Sequence, residues 1–298
     1  MQLLKKFHLP APVFAVTAML FWGLSFIWSS VLLKYYQPIT IIFIRLIIST
    51  AFLFAIIHFF WQDEKIQKKD FKLICLSALF NPFLYFLCEN YGLKYSTPTI
   101  ASVIIAMIPV FSPLIAFITM KEKLLPVNFL GIFISFTGII IMLMTPNLSL
   151  AADIRGILFL SGAVLTSLFY SVTLRKLTAK YSAIVIIAYQ NLIGIVLFLP
   201  LFLLFEFRST VQVPLTGEII ISMLSLAIFA SSVSFVFFAH SVKLLGISKS
   251  NIYSNLIPVF TAGFSYFLLS ETFSIQKIAG IALVIGGVYL SERTKRFH

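Results

Sequence analysis

The stretch PITIIFIRLIISTAFLFAIIHFF, residues 38–60, carries one permanent charge, Arg45, among aliphatic, aromatic and a few hydroxyl side chains. A helix rises about 1.5 Å per residue, so a run this long crosses the roughly 30 Å hydrocarbon core of a bilayer. A strand of a membrane barrel needs only about 9–11 residues and alternates in polarity, which this run does not. Lipid offers no water to the backbone, so its N–H and C=O groups bond within the segment. Residues 38–60 therefore read as a transmembrane helix.

Working outward, the same reading applies to 11–33, 71–91, 97–119, 126–144, 154–174, 182–205, 216–241, 248–269 and 274–291. The expected fold class is an all-α integral membrane protein of ten transmembrane helices. Composition agrees: of 298 residues 60% are hydrophobic and 11% charged, against about 25% charged in a soluble domain. The first apolar run follows Lys5 and Lys6, as in a signal peptide. It is too long for one, contains Trp22 and Trp28, and lacks a small-residue cleavage site, so it reads as a retained first helix.

The net charge of +12 does not form a basic stripe, which speaks against a nucleic-acid partner. It sorts by side instead. With the N-terminus in the cytoplasm, sixteen Lys and Arg fall on the cytoplasmic side and five outside, Arg45 lying within a span. The positive-inside bias then puts both termini in the cytoplasm of a multi-pass protein of the cell inner membrane. Cys75 and Cys88 lie in one apolar span and read as packing residues rather than a disulfide framework.

The chain also repeats itself. A shift of 149 residues carries Phe86 onto Phe235, Lys94 onto Lys243, and Ile108-Pro109-Val110-Phe111 onto Ile257-Pro258-Val259-Phe260. It also carries Glu122 onto Glu271, Gly131 onto Gly280 and Gly138 onto Gly287. A shift of 142 brings Ser25, Ser29 and Lys34 onto Ser167, Ser171 and Lys176. The expected organisation is two five-helix repeats, 1–146 and 147–298. An odd number of crossings makes the second inverted relative to the first, an architecture of secondary transporters.

With its I-P-V-F, Glu and paired Gly pattern present twice, and Phe21-Trp22-Gly23-Leu24-Ser25-Phe26-Ile27-Trp28 in the first span, the chain resembles the drug/metabolite transporter superfamily, specifically its EamA-type members. The resemblance covers nearly the whole chain. It implies the ten-helix fold and, most often in that family, export. It leaves the substrate among amino acids, other metabolites, vitamins and toxic compounds. Trp22-Gly23 has no clear counterpart in the second repeat.

Several residues stand out for chemistry. Arg45 lies about seven residues inside its span, and an intramembrane charge costs ~2.5–3.5 kcal/mol on insertion scales. It either faces a cavity or snorkels to the headgroups. Glu89, near the end of the third span, reads as its partner, as a proton-coupling carboxylate or as an anion for a bound amine. Gln190 falls at about the same place in the second repeat and is neutral there. Trp22, Ser25, Trp28, Asn81, Tyr170, Asn251 and Asn255 are the candidate cavity residues, aromatic faces and amides suited to a small amphipathic solute; Asn251 and Asn255, four apart, fall on one helix face. Their alternative is helix–helix hydrogen bonding.

Pro109 and Pro258 are matched hinge candidates, since each removes a helical donor. The glycines recur every seven residues and fit close packing, between helices or against a second copy of the chain. Glu122 and Glu271 fit capping at span ends, and His240 an interfacial polar group. No metal-ligand cluster, phosphate loop or nucleophile–base pair is present in the sequence, so no cofactor, metal or enzymatic activity is expected. The expected function is secondary transport of small organic solutes, foremost export of amino acids or related metabolites, by alternating access. The rivals are import of a charged or nucleotide-like metabolite and, from other classes, a lipid-modifying enzyme or a non-transporting scaffold.

Overall fold

The computed structural model describes residues 10–60, 64, 66–111, 126–143, 152–246, 250–251, 253–272 and 274–291, and among these it contains helices and no strand. We number the helices α1 (Ala11–Leu32), α2 (Pro38–Phe60), α3 (Lys68–Lys94), α4 (Pro98–Phe111), α5 (Pro126–Leu143), α6 (Ile154–Thr178), α7 (Ala183–Val211), α8 (Gly217–Leu245), α9 (Leu256–Leu269) and α10 (Ile275–Ser291). Six of them, α1 to α3 and α6 to α8, are long and apolar enough to cross a membrane. The other four are shorter apolar helices at the remaining expected spans.

Local chemistry sets the helix starts. Pro38, Pro98 and Pro126 each stand at a first helical position, where the missing N–H costs nothing. Thr97 and Thr216 cap α4 and α8 by accepting from the backbone of Ile100 and Ile219, both at 3.4 Å. Inside the spans the chain departs from regular helix at matched places. The wide turn Leu79–Leu84 in α3, which contains the cis peptide Asn81–Pro82, falls 149 residues before the middle of the wide turn Leu226–Ser234 in α8.

The helix is interrupted just before each of the two matched prolines. In α4 the helix pauses at Ala106 and Met107, just before Pro109. Ahead of Pro258 the chain forms a 3-10 turn at Tyr253–Asn255, and α9 starts at Leu256. Each break lies one turn before a proline, where the ring crowds the preceding carbonyls.

The strongest packing runs between the repeats, not within them. α5 lies on α10 and α2 on α7; α3 packs on α6 as α8 does on α1; and α4 packs on α6 as α9 does on α1. The glycines explain the first contact. A Cβ on Gly138 would stand 2.8 Å from the carbonyl oxygen of Gly280, and one on Gly287 would stand 2.6 Å from that of Gly131. Seven residues apart on each helix, these positions let two backbones touch in antiparallel fashion. The glycine faces are thus consumed inside the chain and are not free for a second copy. Glu122 and its flanking lysines lie outside the described residues.

Candidate functional site

Within the bundle is a cavity lined by α1, α2, α3, α4, α6, α8, α9 and the turn before α9. The matched breaks build it. Ile105 and Ile108 of α4 pair with Ser254 and Ile257 at a shift of 149, and all four line the cavity, as do Phe86 and Phe235. Ser25 and Ser167, matched at a shift of 142, face it too. Where a helix is interrupted, the face presented to a neighbour rotates, and here the same residues of both repeats turn inward.

The indole nitrogen of Trp22 donates to the carbonyl of Ala230 at 3.3 Å, within the wide turn of α8, and its ring meets Phe235 and Phe238 with centroids at 4.9 and 5.1 Å. Ser25 donates to the carbonyl of Trp22 at 2.7 Å. Tyr170 donates to Gln190 at 3.4 Å, and Gln190 donates to Ser77 at 2.7 Å. Asn81 is 5% exposed, lines the cavity, and its amide has no hydrogen-bond partner among the described residues. Asn251 also lines the cavity.

Arg45 does not snorkel. It is 2% exposed and faces the cavity, its Nε donating to Ser231 at 2.8 Å and its guanidinium carbon 3.7 Å from the centre of the Phe86 ring. That is cation–π geometry in a site shielded from water. Glu89 lines the same cavity and accepts from the hydroxyl of Tyr85 at 2.8 Å. Arg45 and Glu89 line one cavity close enough to act on each other electrostatically but form no direct ion pair, so the expected partnership is one of charge across the cavity and not of contact. Among the described residues the ion pairs are Arg155–Asp153, Lys180–Asp70 and Lys277–Glu271.

Trp28 and Asn255 lie elsewhere. Trp28 packs with Phe229 at 6.4 Å, against a separate apolar cluster of α1, α2 and α8 around Leu32, Ile41 and Met223. Asn255 is 7% exposed and its Oδ1 is buried without a partner among the described residues, but it does not line the cavity. The 3-10 turn at Tyr253–Asn255 advances about 120° per residue rather than 100°, so positions four apart no longer share a face. Pro109 and Pro258 do not line the cavity, but the residues just before them, Ile108 and Ile257, do. The sequence reading missed Phe86, Phe235, Phe238 and Tyr85. The 149-residue match of Phe86 with Phe235 was the available signal, hidden among 33 phenylalanines.

Polar contacts at the two ends of the bundle respect the alternation of the spans. Glu271 accepts from Thr97 at 2.9 Å and Thr99 at 2.8 Å and pairs with Lys277, joining the end of α9 to the start of α4. Its partners are side chains and not the helix-end backbone groups that the expected capping role would use. Tyr35 donates to Glu218 and Lys94 to Gln37 at the same end. At the opposite end Asp70 accepts from Lys180 and Tyr181, both at 2.7 Å. His240 packs edge-on against Phe14.

A many-times-crossing helical bundle, doubled in sequence and wrapped around a largely apolar, aromatic-walled cavity that holds a few polar and charged side chains, is the architecture of a membrane transporter. The chain belongs to the EamA-like transporter family, whose model matches residues 9–144 and again 154–293. It is similar to an uncharacterized transporter of Archaeoglobus fulgidus, 26% identical over 92% of this chain and 96% of that one. It is also similar to the uncharacterized transporter YcxC of Bacillus subtilis, 24% identical over 99% of this chain and 98% of that one. A solved crystal structure superposes with a TM-score of 0.69 at 18% identity, covering 94% of this chain and 97% of the other, a likeness of fold.

Proposed function

We propose that the protein is a secondary transporter that carries small zwitterionic solutes, amino acids or metabolites of that kind, out of the cell by alternating access. The observation that carries this reading is the cavity with Arg45 and Glu89 on its wall, opposite charges not bonded to each other, among Trp22, Phe86, Tyr170 and Phe235. A carboxylate suits the guanidinium, an ammonium suits Glu89, and an apolar side chain suits the rings. The unpartnered amide of Asn81 gives a bound solute a further polar contact.

In this reading residues 1–146 and 147–298 are inverted repeats, both termini are cytoplasmic, and the membrane is the inner membrane. Matched breaks at Asn81 and Ala230, and before Pro109 and Pro258, fit the interrupted helices that surround midplane sites in such transporters. Export is the direction the family resemblance favours.

A second reading, import of an anionic or nucleotide-like metabolite, draws support from Arg45 facing the cavity. Glu89 on the same wall weighs against it, because like charge on a polyanion is repelled at low dielectric. The test is counterflow in proteoliposomes, with labelled amino acids in one panel and a nucleotide in another. Exchange of at least one amino acid and none of the nucleotide is expected. Exchange of the nucleotide alone moves the function to the second reading, and silence in both panels sinks the proposal.

A further inference from the structure

Two carboxylates outside the cavity make a reciprocal arrangement. Glu206, in the last turns of α7, is 5% exposed and accepts from the backbone N–H of Thr40 at 2.6 Å and of Ile39 at 3.2 Å, and from the Thr40 hydroxyl at 2.8 Å. These N–H groups belong to the first turn of α2, which has no helical acceptors of its own, and the carboxylate also meets the positive end of the helix dipole. At the other end of the bundle Glu64, beyond the last turn of α2, accepts from the backbone N–H of Ser182, the residue before α7, at 2.6 Å. A shift of 142 residues carries Thr40 onto Ser182 and Glu64 onto Glu206. Each acid lies at or just beyond the end of the second helix of its own repeat and accepts from the backbone at the start of the second helix of the other.

A contact that gates one mouth of an alternating pathway is made while its counterpart at the other mouth is broken. Here both counterparts are made in one conformation. Midway between them, Asn191 of α7 donates to Ser49 of α2 at 2.7 Å, so the two helices are tied at both ends and in the middle. We infer that Glu64 and Glu206 are positioning residues that hold α2 and α7 as one fixed antiparallel pair, presenting Arg45 to the cavity while other helices move around it. The inference takes its meaning from the alternating-access reading, but its measurement needs no substrate.

The test uses the full-length protein in proteoliposomes with Cys75 and Cys88 replaced by serine. Spin labels go on cysteines at Ile47 of α2 and Val196 of α7, both exposed, and distances are read by pulsed dipolar spectroscopy. A reference pair joins Ile47 to Phe267 of α9, also exposed. One narrow distance is expected for the α2–α7 pair and two populations for the reference pair. In the E64A/E206A variant the α2–α7 distance is expected to broaden or split, and in the E64Q/E206Q variant, which keeps an acceptor at each end, to broaden less. Should the alanine variant not fold, the glutamine variant decides. Two populations for α2–α7 in the parent, or an unchanged distance in the variants, overturns the clamp. A single population for the reference pair counts against alternating access and leaves the clamp standing.

Discussion

The second helices of the two repeats differ where it matters most. α2 carries the charged Arg45, whereas α7 carries the neutral Gln190 three residues past the position a shift of 142 matches to it, and each reaches the third helix of the opposite repeat, Arg45 to Ser231 and Gln190 to Ser77. The geometry is shared and the charge is not. Likewise Glu89 of α3 corresponds at a shift of 149 to Phe238 of α8, and both line the cavity. Scaffold contacts, the glycine seam and the matched breaks, are kept in both repeats, whereas both cavity charges come from the first. The comparison teaches that the repeat supplies the container and its asymmetry supplies discrimination among solutes.

The sharpest way to break this comparison is to remove each member of the pair. Arg45→Ala deletes a charged donor from a water-poor site, and hydrogen bonds to charged groups contribute about 1.5–3 kcal/mol, so counterflow is expected to fall about 10- to 100-fold. Gln190→Ala removes only neutral bonds, worth about 1 kcal/mol, and a loss of about fivefold or less is expected. Equal losses in the same counterflow assay would mean that the charge does not discriminate.

The shared elements predict the reverse, equal effects in both repeats. Gly138→Ala and Gly287→Ala each drive a methyl into backbone at 2.8 and 2.6 Å. Alanine gains about 1 kcal/mol of helix propensity over glycine, but overpacking costs typically about 1–3 kcal/mol. Backbone cannot retreat as a side chain can, so both variants are expected to melt a few degrees lower in detergent. Gly263→Ala, whose Cβ meets nothing within 4 Å, is expected to melt at or above the parent temperature. A drop in only one of the seam variants would make the seam as asymmetric as the cavity.

The smallest effect concerns the starts of the first helices. α6 is capped by Asp153, which accepts from the Arg155 backbone at 2.8 Å and from its guanidinium, whereas Pro10 gives α1 no side-chain cap. The hydrogen bonds from Arg155, side chain first and then backbone, hold the Asp153 carboxyl below its ordinary range. A depressed folded value stabilises the protein above the unfolded pKa, about 3.9, and that contribution fades as pH falls through the folded value. Asp153→Asn is therefore expected to melt slightly lower than the parent near neutral pH, the gap closing on acidification below the carboxylate range. A gap that persists in acid would assign the effect to capping geometry rather than charge.

Much of this was legible in the chain. The 38–60 run reads as a helix because lipid allows an isolated span little else, and the repeat was visible because proline, glutamate and glycine stay in register. Trp22, Ser25, Asn81, Tyr170, Asn251, Arg45 and Glu89, singled out in the sequence, line one cavity. Trp28 and Asn255 do not, because helical spacing is a guide only while the helix is regular. Glu64 and Glu206 escaped notice for another reason. Each lies at the end of a span, where a carboxylate ordinarily meets water, and nothing along the chain says that its partner is a helix start more than a hundred residues away.

The sequence by itself determined that the chain lives in a membrane, that it is helical, and that it is made twice. Those properties follow from local transfer free energies and backbone hydrogen bonding, which depend on composition and run length. Only the tertiary structure decided that the strongest contacts run between the repeats, that Arg45 rests on Phe86 and Ser231 rather than on Glu89, and that the backbone at the starts of α2 and α7 bonds to each other's acids. Those are matters of which helix faces meet. In lipid that choice rests on packing of small residues and on a few polar contacts, summed over helices far apart in the chain.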